Sequence, residues 1–548
     1  MWEFWIDRGG TFTDVIGRAP DGTLHVAKLL SSEDAPAAGV RRVLAEAIGL
    51  APDAPLPPCT VKLGTTVATN ALLERRGAPT VLVANRGLGD LLAIGTQQRP
   101  DLFALAIEKP APLHACVVEA AGRIAADGTL LETPDVEALA RTLAALRAEG
   151  IESAACVAIH ACVDPAIERA WASAARAAGF ADVVASHEVV HEQGLLARGE
   201  TAVADAYLTP LLRRHAEALA RALPGARLRF MQSSGGLTDA ARFRGPNALL
   251  SGPAGGVVGA GRVARAAGCA RAIAFDMGGT STDVSLLLDG EADRCFETEV
   301  AGLRVRAPMV RIHTVAAGGG SLCRFDGIRL TVGPESAGAD PGPLCYGRRG
   351  PDGERRAREL TLTDVNAFLG RLPPDRFPFP LDLEPIGPAL DALRAQLAAA
   401  GHPRSRDALA AGLLEIANQT MAQAIQQVSV ARGVDPRDGA LVGFGGAGGQ
   451  HVCQVARALG VRTVLLHPLA GLLSAWGIGL SAASWDGARD AGRARLAPDG
   501  RLPPAVSTRI RVLAEEGRAA LRAEGVAPAR VEASLDLRYV GAETALTV

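Results

Sequence analysis

Lysine is almost absent from this chain. Its 548 residues include Lys28, Lys62 and Lys109 and no lysine beyond them. A P-loop needs G-x-x-x-x-G-K-[ST], whose lysine reaches the β- and γ-phosphates, and none of the three stands in that context. With the P-loop lysine absent, a nucleotide site is expected to work through backbone N–H groups, hydroxyls, a metal ion or arginine. Excess charge of either sign is lacking too. The 57 basic and 59 acidic residues leave a net charge of −2, so nothing global draws the chain to nucleic acid or to an anionic membrane. Aromatic residues are 4%, which disfavours base-stacking platforms. The nine cysteines form no C-x-x-C pair, a usage that suits reduced thiols and a cytoplasmic protein. No apolar run reaches membrane-spanning length. The start, Met1-Trp2-Glu3-Phe4-Trp5-Ile6-Asp7, has neither the basic segment nor the apolar stretch of a signal peptide.

What is present is one motif written twice. Asp7-Arg8-Gly9-Gly10-Thr11-Phe12-Thr13-Asp14-Val15 and Asp276-Met277-Gly278-Gly279-Thr280-Ser281-Thr282-Asp283-Val284 share D-x-G-G-T-x-T-D-V. Each copy follows an apolar run, Phe4-Trp5-Ile6 and Ala272-Ile273-Ala274-Phe275. Strand, acid, paired glycines, hydroxyls and strand again predict a β-hairpin. Two such hairpins predict two related halves facing each other across one site. The chemistry suits a nucleoside triphosphate. Gly9, Gly10, Gly278 and Gly279 let backbone N–H groups approach phosphate oxygens. The threonines of each copy (Thr11, Thr13, Thr280, Thr282) add neutral donors, and Asp7 and Asp276 can hold a hydrated Mg²⁺ through its waters.

Length and a hydrophobic fraction of 48% predict a globular protein of two or three domains. Short apolar runs alternate with helical patterns, an α/β style. Asp135–Glu149, Thr201–Leu223 and Arg406–Gly433 have helical spacing, and Gly318–Gly350 reads mostly as loop. We divide the chain into 1–195 with the first hairpin, 196–485 with the second, and 486–548. The last part predicts a helix over Ser507–Glu524 and strands at Leu535–Tyr539 and Thr544–Val548, so the chain is expected to stop within an unfinished domain.

Three further motifs have competing readings. Gly443-Phe444-Gly445-Gly446-Ala447-Gly448 fits G-x-G-x-x-G, but the next strand ends in His467-Pro468 without the acid a dinucleotide site wants. A turn lying against an adenosine, through Gly445, Gly446, Gly448 and Gly449, fits better; close helix–strand packing is the alternative. His187-Glu188-Val189-Val190-His191 matches H-E-x-x-H, yet zinc chemistry needs both histidines on one helical face. Asp182–Ser186 reads as a strand, which favours surface or turn histidines. Gly318-Gly319-Gly320-Ser321 is either a flexible loop or a turn admitting a phosphate.

With these residues in view, the chain resembles the hydantoinase A / 5-oxoprolinase family from Phe4 to about Leu480. Collinear matches include Asp7–Val15, Gly64–Leu72, Ser251–Gly256, Asp276–Ser285, Gly318–Ser321, Gly333–Pro343, Leu362–Asn366 and Gly445–His451. Arg8, where hydantoinases and acetone-type carboxylases usually carry valine, leans towards 5-oxoprolinase. The resemblance implies duplicated actin-like ATPase (ribonuclease-H-like) halves facing across a nucleotide cleft, as in sugar kinases. It implies conversion of ATP, 5-oxo-L-proline and water to ADP, phosphate and L-glutamate. In that reading ATP lies between the hairpins, Asp7 and Asp276 orient Mg²⁺ and its waters, and Arg8 stabilises the transferring phosphoryl group. Gly445, Gly446, Gly448 and Gly449 lie against the adenosine. Arg198 and Glu200, between the two larger parts, are candidates for the substrate pocket. Expected partners are a small cyclic amide and a B-type subunit, with oligomer formation and no nucleic-acid or membrane partner. The rival readings are a hydantoinase or ketone-carboxylase A-type subunit and a non-catalytic ATP-binding remnant.

Overall fold

The computed structural model describes the chain except residues 11, 97–101, 374–376, 378, 493, 498, 529, 543 and 544. Thr11 and Thr544 thus lie outside the described residues.

Both motif copies form the expected hairpins. Trp2–Arg8 pairs antiparallel with Phe12–Arg18, placing Asp7 opposite Asp14. Phe12–Arg18 pairs on with Leu24–Leu30, placing Asp14 opposite Lys28. On its other side Trp2–Arg8 runs parallel to Cys59–Thr65, with Asp7 beside Gly64. The sheet continues through Arg227–Met231 to Leu237–Thr238. The second half repeats the scheme. Arg271–Met277 pairs antiparallel with Thr282–Leu288, Asp276 opposite Asp283. That strand pairs on with His313–Val315, Asp283 opposite Thr314. The parallel neighbours are Ala440–Phe444 and then Thr463–Leu466.

Alternation along the first strand sorts its side chains between two cores. Phe4 and Ile6 pack with Val40, Val43 and Leu44 of the helix Ala35–Ile48. Trp5 faces the other way, onto Ile16 and Ala475 of the helix Leu473–Leu480. A second helix, Ser251–Ala266, joins the halves. Its Ala254 packs with Met231 of the first sheet, and its Val257 and Ala260 pack with Ala274 and Val442 of the second. A separate sheet has four parallel strands, Asp182–Ala185, Ser153–Val157, Thr80–Asn85 and Cys116–Ala120. The central two, Ser153–Val157 and Thr80–Asn85, are buried throughout, as inner parallel strands are.

Helix boundaries follow local chemistry. Val136–Ala148 begins after Asp135, whose carboxylate accepts from the Ala138 N–H. The helix expected from Thr201 starts earlier, at Leu195, and runs to Ala222. Gly199 hides this start from a propensity reading, and it sits where Leu92 and Val157 press against the helix. Arg406–Val430 is helical, capped by Ser405. The stretch read mostly as loop contains a hairpin, Ser321–Phe325 with Leu330–Ser336.

Glu524 ties the last part to the first sheet. Glu524, following the helix Pro504–Ala523, accepts hydrogen bonds from Arg229 and from the Thr238 hydroxyl at 3.1 Å. Its carbonyl accepts from Arg229 at 2.8 Å and Arg227 at 2.6 Å. The terminal strands Asp536–Leu537 and Leu546–Thr547 pair antiparallel, and Leu535 and Val548 exchange backbone hydrogen bonds at 2.8 and 2.9 Å.

Candidate functional site

The hairpins bring Asp7, Asp14, Asp276 and Asp283 into one electrostatic neighbourhood. Burial, reinforced by Asp14 and opposed by Lys28, pushes the Asp7 carboxyl up to about 7. Asp276 is raised well above the usual carboxylate range, first by burial and then by Asp283, Asp7 and Asp14. Burial also raises Asp14 against its Lys28 partner, and Asp283 against its hydrogen bond from Thr314. Asp7 and Asp14 of the first half thus act on Asp276 of the second, which brings the two hairpins into one neighbourhood.

The tips of the two hairpins are built alike. The Gly9 N–H donates to the Phe12 carbonyl and the Gly278 N–H to the Ser281 carbonyl, each at 3.0 Å. These two amides close turns, which leaves the exposed Gly10, Gly279 and Thr280 at the tips. Thr13 and Thr282 are fully buried. Thr282 donates to the Ala317 carbonyl at 2.5 Å, and Thr13 shares a hydrogen with Ser31 at 3.1 Å. Their hydroxyls hold the hairpins together rather than facing the cleft as phosphate donors. Gly318–Gly320 is neither a flexible loop nor a free phosphate turn. The Gly319 and Gly320 N–H groups donate to the Gly278 and Gly279 carbonyls at 3.0 and 2.6 Å, backing the second tip.

Gly445 passes directly beside Asp276. It has φ of +84°, and a Cβ there would collide with Asp276 Oδ1 and the Met277 carbonyl. The Ala447 N–H donates to the Met277 carbonyl at 2.9 Å, bonding the glycine turn to the hairpin. Gly446 and Gly449 are exposed, with open space where a side chain would stand. Gly448 opens the helix Gly448–Leu459, which points unsatisfied N–H groups out of its first turn. His451 anchors this helix from inside. Its Nδ1 lies 2.8 Å from Asn418 Oδ1 and its Nε2 lies 3.0 Å from the Asn366 amide nitrogen. Burial, then Arg371, pushes the His451 imidazole down to about 4, keeping it neutral.

Other candidate residues fall elsewhere. Arg8 follows Asp7 on the strand and so projects to the opposite face. Its charge acts on Glu33 and His215 and is not paired with the aspartates. Arg198 is buried within the first part, its guanidinium donating to Ser186 Oγ at 2.7 Å and to the Ala158 carbonyl. Glu200 is raised by burial against Arg304, and its Oε2 is buried without a partner. His187 is buried rather than superficial, and its Nδ1 lies 2.6 Å from the fully buried Glu168. The helix there is only Ser186–Val189, so His187 and His191 do not share a helical face. Among the described residues no group of three or more His, Cys, Asp or Glu side chains could hold a metal by itself. Reading the motifs for glycines and leading acids missed Asp14, Asp283, Lys28 and Thr314. The repeated final Asp of D-x-G-G-T-x-T-D-V was the available signal.

Two facing halves, each with an acid at the end of its central strand and a glycine hairpin beyond it, define the duplicated actin-like ATPase fold. The solved structure of ATP-dependent caprolactamase from Pseudomonas jessenii superimposes with a TM-score of 0.85 at 31% identity, covering 100% of this chain and 80% of that one. Nucleotide-free acetone carboxylase gives 0.77 at 23% identity and shows the fold alone. Family models described as the hydantoinase/oxoprolinase N-terminal region and as hydantoinase/oxoprolinase match residues 3–179 and 198–486. The chain belongs to the hydantoinase/oxoprolinase family. It is 38% identical to 5-oxoprolinase 1 of Arabidopsis thaliana over 100% of its own length and 46% of that protein. It is 33% identical to caprolactamase subunit alpha of Pseudomonas jessenii, over 99% of its length and 79% of that subunit. The chain therefore spans about half the length of the oxoprolinases it matches. Among the described residues no helix is long and apolar enough to cross a membrane.

Proposed function

We propose that this chain is the ATP-using part of an ATP-dependent cyclic amidase, phosphorylating the amide oxygen of its substrate. The observation that carries this reading is the pair of matching hairpins, each leading with a buried acid, Asp7 acting on Asp276 and the glycine turn at Gly445 passing directly beside Asp276. An amide is a poor electrophile because nitrogen donates into the carbonyl. Moving the γ-phosphoryl group of ATP onto the amide oxygen, with ADP leaving, makes the amide carbon electrophilic. Water adds there, the ring C–N bond breaks as nitrogen takes a proton, and a second water hydrolyses the resulting acyl phosphate to carboxylate and phosphate. Phosphoryl transfer asks the protein mainly for positioning and charge stabilisation. The amides of Gly10 and Gly279 and the Thr280 hydroxyl would hold phosphate oxygens. Gly446, Gly448 and Gly449 would take the adenosine side, with Gly445 leaving Asp276 unobstructed.

The residues fit a divalent cation. Asp7 Oδ1 is buried without a hydrogen-bond partner. A Cβ on Gly252 or Gly64 would sit 3.2 or 3.6 Å from it, so glycine at both positions leaves room. Asp7 and Asp276 would hold Mg²⁺ through its waters, the mode that ion favours. When bound, the ion would neutralise charge on the phosphates.

The finer reading is 5-oxo-L-proline as substrate, with a B-type subunit completing hydrolysis to L-glutamate in the cytoplasm. Its support is the likeness to oxoprolinases of plant and yeast origin, together with Arg8. The fuller coverage of caprolactamase subunit alpha favours a second reading, an A-type subunit acting on another cyclic amide. Phosphate release from Mg-ATP with 5-oxoproline, hydantoin or caprolactam, each with and without a B-type partner, separates them. Stimulation by 5-oxoproline alone supports the first reading. Stimulation by a different ring supports the second. ATP binding without stimulation by any amide overturns both.

A further inference from the structure

The two halves share the motif hairpin, the strand paired beyond it and the parallel neighbours, and they differ in charge on that third strand. In the first, the row across the strands is Asp7, Asp14, Lys28; in the second it is Asp276, Asp283, Thr314. Lys28 and Thr314 hold the same register position on the third strand. Lys28 Nζ lies 2.5 Å from Asp14 Oδ1, whereas Thr314 Oγ1 donates to Asp283 Oδ1 at 2.6 Å. One hairpin therefore carries a cation and its duplicate a neutral hydroxyl.

We propose that Lys28 contacts the γ-phosphate of bound ATP, so that the first hairpin receives the transferring end of the nucleotide and the Thr314 half does not. This rests on the reading of the cleft as an ATP site. The ammonium has three donors and Asp14 takes one of them. Its side chain remains 41% exposed while that of Asp14 is 15% exposed, so the open side of the pair is the lysine. Lys28 Nζ also lies 5.1 Å from the centre of the Phe12 ring, which steadies it beside the hairpin tip. The other lysines are engaged elsewhere, Lys62 on the Gly479 carbonyl at 2.5 Å and Lys109 on the Ile94 carbonyl. Arg8 projects to the far face. Among the four carboxylates of the two rows Lys28 is the charged donor, and Coulomb attraction draws the more negative end of a polyphosphate to it.

The test compares binding of the β,γ-imido analogue of ATP with binding of ADP, each with magnesium, to wild type, Lys28→Met, Lys28→Arg and the exchange K28T/T314K. Lys28→Met should weaken the ATP analogue by about tenfold or more, the worth of a charged hydrogen bond, and leave ADP within about twofold. Lys28→Arg should recover part of the loss, and the exchange should recover none. Equal weakening of both nucleotides, no weakening at all, or restoration by the exchange overturns the proposal, since Lys28 would then only neutralise acids. Failure of wild type to bind either nucleotide would instead overturn the ATP site itself. Retained folding of Lys28→Met is read from its thermal transition, and Lys28→Arg supplies the comparison should that variant unfold.

Discussion

Replacing Asp7 with asparagine should make the nucleotide-free protein more stable while abolishing its use of ATP. The sign follows from the direction of the perturbation. Unfolded, this carboxyl titrates near its ordinary 3.8; in the folded chain burial and Asp14 hold it at about 7. Between those values the folded state holds the extra proton, so stability falls as pH rises through the window and levels off above 7. A carboxyl raised that far disfavours its own ionisation by about 4 kcal/mol, an upper bound that residual solvent in the cleft lowers to about 2 kcal/mol. Urea denaturation of wild type and Asp7→Asn at pH 5, 6, 7 and 8 measures it. The variant should be more stable by about 2 kcal/mol at pH 8, with the gap closing towards pH 5. Mg-ATP should stabilise wild type and not the variant. A variant no more stable at pH 8, or a gap that widens on acidification, would refute the reasoning that this carboxylate is buried without a hydrogen-bond partner.

Three other substitutions probe separate links. Gly445→Ala should destabilise by at least about 1 kcal/mol, because φ of +84° strains any other residue. It should also cut ATP turnover, since the new Cβ displaces Asp276; calorimetric melting and phosphate release read the two effects. Glu524→Ala should cost about 3 kcal/mol by leaving buried Arg229 unpaired. Limited proteolysis should then release the part after residue 485 before the sheets are cut. Glu168→Gln should cost about 2 kcal/mol, because an amide cannot accept all the bonds that reach this carboxylate from the Ala158 and His187 N–H groups, Ser186 Oγ and His187 Nδ1. Added zinc should leave the stability of that variant and of wild type unchanged.

Local signals made the hairpins legible. The spacing D-x-G-G-T-x-T-D-V encodes strand, turn and strand within a few residues, and those are the residues that pair. Apolar spacing made the helices after Asp135 and Ser405 legible, and the structure shows these two side chains capping them. The facing halves and their fold were readable because duplication leaves a trace at long range. Direction and engagement were not readable. Thr13 and Thr282 look like phosphate donors as letters, but strand alternation and the neighbouring Ser31 and Ala317 carbonyl turn their hydroxyls inwards. Arg8 adjoins Asp7 in sequence and is therefore on the other face of the strand. His187 reads as superficial because nothing nearby in the chain announces Glu168, nineteen residues earlier, as its partner.

The same distinction explains where the cleft departs from ordinary packing rules. A buried acid is normally paired, and Glu168, Glu524 and Asp364 each collect several donors. Asp7 Oδ1 has no donor, and Asp276 is surrounded by acids that raise it. Glycine at 64, 252 and 445 keeps side chains from filling the space around the pair. An arrangement that leaves acids unpaired lowers the stability of the empty protein, and persists where a ligand supplies the missing charge. Of the two halves, only the first carries a cation in its row, so the duplicated framework is symmetric in fold and asymmetric in charge. A polyphosphate with a divalent ion would restore the balance with its more negative end beside Lys28, and a residue outside the repeated motif would then help to set the direction in which the nucleotide enters.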